Sequence, residues 1–325
     1  MRILITGACG FAACHLAEEL RQSGAELFGI VRRENWLPGF GHLADVVQLR
    51  QADMLRGEQV EAVLRQVQPE VIYHLAAYSD AGRSFQEPDA AWSGNVVATR
   101  NLYDAVLRWG GKPRMLFVSS GAVYGDARNQ EALFTEESEL RPNNPYAVSK
   151  AAADLLSYQY YRTHGLHIVR ARPFNHVGPG QTVRFALANW ACQIAAIERG
   201  EQQPTMQVGN LAPERDFADV RDVVRAYRVL VQYGLPGEAY NVATGRWLPM
   251  QAFLEELLAL CTIPIKTVTD PALVRKVETA TVRVSIDRLR RATEWQPQCD
   301  PRQTMQELLD YYRRHPGQGQ QPRAA

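Results

Sequence analysis

Apolar residues in the first half of the chain fall into two alternating patterns. Short, almost wholly apolar runs at 2–6, 26–32, 46–51, 71–75 and 115–119 predict buried strands. Between them, 15–23, 57–67 and 93–109 carry the spacing of amphipathic helices, with Gly24 at one boundary. Strands that alternate with crossover helices must run parallel, which gives an α/β fold with a doubly wound parallel sheet. Asn144-Pro145 opens another helix, running to about 164, because asparagine caps well and proline lacks only an N–H the first turn does not use. A short strand follows at 167–170.

Beyond it prolines and glycines multiply, small elements of both kinds interleave, and the alternation is lost. The segments 219–233 and 238–242 restore it. This predicts a dinucleotide-binding (Rossmann) domain from 1–172 plus 212–243. A smaller mixed α/β substrate-binding domain takes 173–211 plus 244–315, and a disordered Gly/Gln/Pro-rich tail takes 316–325.

With 325 residues and 46% hydrophobic content, the chain can bury such a core. Its 36 basic and 35 acidic residues nearly cancel, which argues against nucleic acid or a membrane surface as partner. The start, MRILITGACG, lacks the features of a signal peptide, and no apolar run is long enough to cross a bilayer. The five cysteines (Cys9, Cys14, Cys192, Cys261, Cys299) have no disulfide or zinc spacing, and the seven histidines make no ligand pair. A cytoplasmic, metal-free protein is expected.

Candidate chemistry begins where the first strand meets the first helix, at Thr6-Gly7-Ala8-Cys9-Gly10-Phe11. Gly7 permits a tight turn, and Gly10 lets backbone amides approach a pyrophosphate at the helix N-terminus. Cys9 and Phe11 join Gly7 and Gly10 as expected cofactor contacts, and the Cys9 and Cys14 side chains read as small fillers rather than reactive thiols. The second strand ends in Arg32-Arg33, where an NAD site would carry an acid; two arginines favour the 2'-phosphate of NADP, with NAD as the alternative beside Glu34. Asp53 is either an adenine contact or a surface turn. Leu75-Ala76-Ala77 offers small residues against which a dinucleotide could lie.

Tyr146 and Lys150, four apart, share one face at the start of a helix. An ammonium beside a phenol lowers its pKa, making tyrosine a usable proton donor and acceptor. Ser120, after the fifth strand, can donate to the same substrate oxygen.

Gly7-Ala8-Cys9-Gly10-Phe11, His74-Leu75-Ala76-Ala77, Ser119-Ser120-Gly121-Ala122-Val123-Tyr124-Gly125 and Pro145-Tyr146-Ala147-Val148-Ser149-Lys150 closely resemble the extended short-chain dehydrogenases that act on nucleotide sugars. The resemblance implies catalysis by Ser120, Tyr146 and Lys150, with Lys150 also on the nicotinamide ribose. It adds Met54 and Pro173 to the cofactor contacts. For the sugar nucleotide it implies Ser79, Asn175, Arg215 for the diphosphate, and Arg275 with Glu278. His176 reads as a hydrogen-bonded structural residue. The family also implies a homodimer formed by the helix of Tyr146 and the helix at 93–109.

The family holds reductases, epimerases and dehydratases. Dehydratases carry an acid two residues before the tyrosine of Val-Tyr-Gly, often with another before it; here Gly121-Ala122 cannot move a proton, and Asp80 is the candidate substitute. Runs around 172–181 and 208–223 are most similar to reductases of GDP-4-keto-6-deoxyhexoses. The implied reaction is hydride transfer from NAD(P)H to C4, giving GDP-D-rhamnose, with a 4-epimerase holding NAD+ as the rival and a non-catalytic cofactor-binding protein as the more distant one. Tyr78 stands where that group commonly has glutamine.

Overall fold

The apolar runs form β1 (Arg2–Thr6), β2 (Glu26–Val31), β3 (Val47–Gln51), β4 (Val71–His74) and β5 (Arg114–Val118). A two-residue strand, β6 (Leu133–Phe134), lies outside the main sheet, which β7 (Ile168–Pro173) rejoins. Residues 1–125, 133–273 and 282–317 are described in this computed structural model. Arg275, Glu278 and most of the expected tail fall outside them.

The main sheet has seven strands in the order β12-β7-β5-β4-β1-β2-β3, its far edge being β12 (Ala239–Val242). All neighbours are parallel. Strand order reverses between β1 and β4, where Thr6 registers with His74. In such sheets the crevice beyond the strand ends at this reversal is where ligands bind.

Both faces are covered. Helices α1 (Phe11–Arg21) and, later in the chain, α7 (Val220–Tyr233) bury Leu16, Leu20, Val223, Tyr227 and Leu230 on one side. On the other, α2 (Gly57–Val67), α4 (Ala98–Trp109) and α5 (Pro145–His164) bury Val60, Leu64, Leu102, Tyr103 and Ala153. Asn144 caps α5 by accepting from the Ala147 amide at 2.9 Å. The helix expected over 93–109 differs. A short α3 (Pro88–Trp92) enters a π turn at Ser93–Val97 before α4 begins. The chain at Tyr78 runs against this turn so closely that a Cβ on Gly94 would stand 3.2 Å from the Tyr78 Cβ.

A second core gathers α6 (Ala186–Glu198), α8 (Met250–Ala259) and α10 (Pro301–Arg314) around Leu187, Trp190, Ile194, Leu254 and Leu308. Small sheets flank it: β8 (Asn175–Val177) with β11 (Phe217–Asp219), β9 (Thr205–Val208) with β14 (Lys266–Thr269), and β10 (Glu214–Arg215) with β13 (Leu248–Pro249). Strand β15 (Arg283–Val284) pairs with β6, and α9 (Asp287–Thr293) follows it. Val284, Ile286, Leu289 and Trp295, which the sequence division assigned to the smaller unit, pack in the core of the main sheet. Among the described residues no helix is long and apolar enough to cross a membrane.

Candidate functional site

Gly7 turns β1 into α1 with φ at +70°, and a Cβ there would stand 3.0 Å from the Ala76 Cα. Both the left-handed backbone and the closeness of Ala76 exclude a side chain. Gly10 donates to the Gly7 carbonyl at 2.8 Å and begins α1 with no side-chain cap and no acid in the first turn. The opening amides and the positive end of the helix are therefore suited to a pyrophosphate. The thiols of Cys9 and Cys14 are pushed up by burial, Cys14 to about 12, as expected of fillers. The Phe11 ring stacks flat against His176 at 5.9 Å, so what Phe11 can offer a cofactor is its main chain.

At the end of β2, Arg32 and Arg33 are exposed. Glu34, the acid beside them, accepts from the Trp36 indole at 3.1 Å. Asp53 acts in its turn, where Oδ1 accepts the Leu55 amide at 2.9 Å. Met54, expected among the cofactor contacts, follows Asp53 in the same turn. Its side chain is 8% exposed within the core, and its carbonyl accepts from Asn101 at 3.0 Å. Leu75 and Ala76 are half-buried after β4, whereas Ala77 and Ser79 are exposed. Pro173 ends β7, buried and in register with Val242.

Ser120, Tyr146 and Lys150 converge above β5. Ser120 caps a short 3-10 turn, Gly121–Tyr124, with its Oγ accepting the Ala122 amide at 3.1 Å. It also hydrogen-bonds the Tyr146 hydroxyl. That bond lowers the phenol pKa, but burial outweighs it and holds the group above its ordinary range. Lys150, four residues on, has a partner of its own. Its Nζ donates to the Val118 carbonyl at 2.8 Å and lies over the Phe117 ring at 5.5 Å. Burial lowers its pKa to about 8, opposed by the charge of Asp154.

Asp154, fully buried one helical turn after Lys150, anchors a network that sequence reasoning missed. Its carboxylate accepts from Arg170 Nη1 at 2.5 Å, Arg172 Nε at 3.0 Å and Arg172 Nη2 at 2.9 Å. Arg172 also donates to the Tyr124 hydroxyl, which donates to Asn241. The two guanidiniums hold the Asp154 carboxyl below its usual range despite burial. A basic residue within a buried strand and an acid within a helix were the available signals.

Of the residues expected to meet the sugar nucleotide, Asn175 is exposed on β8, and its Nδ2 donates to the Asp216 carbonyl at 3.3 Å. Arg215, on β10, pairs in register with Leu248. Asp216, 1% exposed, is the second residue missed. Its carboxylate accepts from Thr244 N and Oγ1 and from the Gly245 and Arg246 amides at 2.7–3.0 Å, fixing the loop after β12. Burial nonetheless raises its pKa.

Asp80 is committed elsewhere: Oδ1 accepts the Arg83 amide at 2.9 Å and Oδ2 meets Arg184 at 3.3 Å. Tyr78 donates its hydroxyl to Glu87 at 3.3 Å. His176 is structural, with Nδ1 3.0 Å from the Phe174 carbonyl and a pKa lowered by burial. No cluster of three or more metal-binding side chains occurs among the described residues.

The fold and these motifs match known proteins. The family described as GDP-mannose 4,6 dehydratase matches residues 4–311. The chain is 37% identical over 241 residues to a GDP-6-deoxy-D-mannose reductase of Pseudomonas aeruginosa, covering 74% of this chain and 79% of that one. A dTDP-glucose 4,6-dehydratase of Streptomyces antibioticus is 29% identical over 322 residues, covering 96% and 92%. The solved structure of RMD from Pseudomonas aeruginosa complexed with NADPH superposes with a TM-score of 0.84 at 32% identity, covering 96% of this chain and 99% of that one. The chain belongs to the GDP-mannose 4,6 dehydratase family, a branch of the extended short-chain dehydrogenases.

Proposed function

We propose that this protein reduces the C4 ketone of a GDP-4-keto-6-deoxyhexose with NADPH, forming GDP-D-rhamnose. The observation that carries the reading is the 3-10 turn at Gly121–Tyr124. Where a dehydratase places its acids, a Cβ on Gly121 would stand 2.8 Å from the Phe174 ring, and the next residue is Ala122. The turn holds a ring and a methyl group where dehydration needs a proton carrier. Asp80, bound to Arg184, is a poor replacement.

The Gly7 turn, the uncapped start of α1 and the exposed Arg32 and Arg33 suit a dinucleotide with a 2'-phosphate. The 37% identical relative is a GDP-sugar reductase and the superposed RMD structure holds NADPH, which support the same substrate and cofactor here. When bound, NADPH supplies the hydride. Tyr146 gives the proton to the C4 oxygen, and its raised pKa keeps it in the acid form that reduction requires. Ser120 donates a hydrogen bond to that oxygen, and Lys150 holds the nicotinamide ribose. Asn175 and Arg215 receive the sugar nucleotide. Exposed Leu107 on α4 and Val148, Leu155 and Tyr158 on α5, the two helices expected to pair, support a homodimer.

NADPH incubated with a panel of GDP- and dTDP-linked 4-keto-6-deoxy sugars tests the reading by loss of cofactor absorbance. Oxidation with the GDP sugar is expected. Protein purified with stoichiometric NAD+ that converts sugars without added NADPH would overturn it.

A further inference from the structure

His74 ends β4 at 2% exposure, and the proposed chemistry uses neither of its ring nitrogens. Nδ1 lies 2.8 Å from Thr6 Oγ1, and Nε2 lies 3.0 Å from Thr99 Oγ1. The neighbours decide where the ring hydrogen sits. Thr99 Oγ1 is 2.6 Å from the Asn95 carbonyl, which can only accept, so the single Thr99 hydroxyl hydrogen goes there. Nε2 must then donate to Thr99. Nδ1 is left as an acceptor for the Thr6 hydroxyl, and Thr6 Oγ1 in turn accepts the Ala76 amide at 3.0 Å. Every hydrogen bond in the chain has one consistent direction. Burial, with the Lys150 charge nearby, pushes the ring pKa down to about 3, so it stays neutral.

The two ends of this chain reach different parts of the site. On the Nδ1 side, Thr6 fixes Ala76, whose backbone lies against Gly7 in the dinucleotide turn. On the Nε2 side, Thr99 fixes Asn95 inside the π turn. Asn95 Nδ2 donates to Ser149 Oγ at 2.8 Å, and Ser149 Oγ donates to the Tyr146 carbonyl at 2.8 Å. The Tyr146 amide is held from the other side by Ser84 Oγ at 3.2 Å.

We infer that His74, as the neutral Nε2–H tautomer, is a positioning residue with two separable outputs: the Ala76 wall of the cofactor turn through Nδ1, and the placement of Tyr146 through Nε2. The turnover arm rests on the reductase reading above; NADPH binding and the ring tautomer are measured without any sugar, so the two can fail separately.

Two substitutions divide the outputs. His74→Gln puts an amide donor near the Nε2 position and gives up the Nδ1 acceptor; His74→Asn keeps an acceptor near Nδ1 and gives up the donor. The glutamine variant is expected to weaken NADPH binding about tenfold, with a smaller loss of kcat. The asparagine variant is expected to lower kcat about tenfold, with a smaller loss of NADPH affinity. In the 15N-histidine spectrum of the unsubstituted protein, His74 is expected as a neutral ring with hydrogen on Nε2, assigned by its change in Thr99→Val. Parallel losses of affinity and turnover in both variants would overturn the inference, as would hydrogen on Nδ1. Should either variant fail to fold, Thr6→Val and Thr99→Val carry the same division, the first expected to weaken NADPH binding more and the second to lower kcat more.

Discussion

The proposed cofactor side and the proposed sugar side of the crevice are built by opposite means. Around Gly7 the shape is steric: a left-handed residue, a neighbouring backbone that would stand 3.0 Å from any Cβ placed there, and an uncapped helix, with two glycines of one short motif doing most of it. Around Asn175 it is electrostatic and long-range. Asp216 draws in a loop about thirty residues later through four hydrogen bonds to one buried carboxylate. A steric site is rigid before any ligand arrives, whereas a site tied by one carboxylate depends on that charge. The two sides should therefore fail differently.

Tyr146 stands between them, so its loss should spare both affinities. Tyr146→Phe is expected to cut turnover about 10²–10⁴-fold with NADPH affinity retained, by steady-state kinetics and titration. A matching loss of NADPH binding would mean that the phenol belongs to the cofactor side. Asp216→Asn comes next. Loss of charge-assisted bonds costs about 1.5–3 kcal/mol, expected as a raised KM for the sugar nucleotide with the NADPH Kd held. Gly7→Ala should do the reverse. It strains the turn by about 1–2 kcal/mol and should weaken NADPH binding, measured calorimetrically, more than the sugar KM.

The pH dependence sharpens the comparison further. Lys150 has its pKa lowered to about 8 from an ordinary value near 10.5, so the folded protein loses that proton first as pH rises. Between those values the unfolded chain binds more protons, and this group's contribution to stability rises with pH. Activity that needs the ammonium should fall above pH about 8 while the melting temperature gains from this group, a divergence that parallel pH scans would reveal. The smallest effect is expected from Asp80→Asn. Its pair with Arg184 is partly exposed, and its removal should cost less than about 1 kcal/mol in a denaturation midpoint.

Much of the cofactor side was legible in the sequence because its causes are local. Strand β1 and helix α2 lie where the apolar pattern predicts them, and Asn144-Pro145 opens α5 as expected. Met54, expected beside the cofactor, has its side chain in the core, and position beside a motif does not reveal which way a side chain turns. Asp154 and Asp216 carry no such local signal, because their partners lie far along the chain or in another element, and one sequence does not show which charges fold onto each other. The tuning of Tyr146 by Lys150 follows from helical spacing, but spacing alone did not reveal that the Val118 carbonyl would take the ammonium.

The π turn at Ser93–Val97 has a consequence for how this region can change over evolutionary time. A π turn behaves as one surplus residue in an α-helix, and each residue turns the helix by about 100°. Deleting any one residue there would restore a regular helix but swing Asn95 away from Ser149, or else Thr99 away from His74. The stretch from Tyr78 to Thr99 should thus accept exchanges of exposed side chains readily and changes of length hardly at all, which makes the spacing between His74 and Asn95 a better marker of a working relative than the identity of most residues between them.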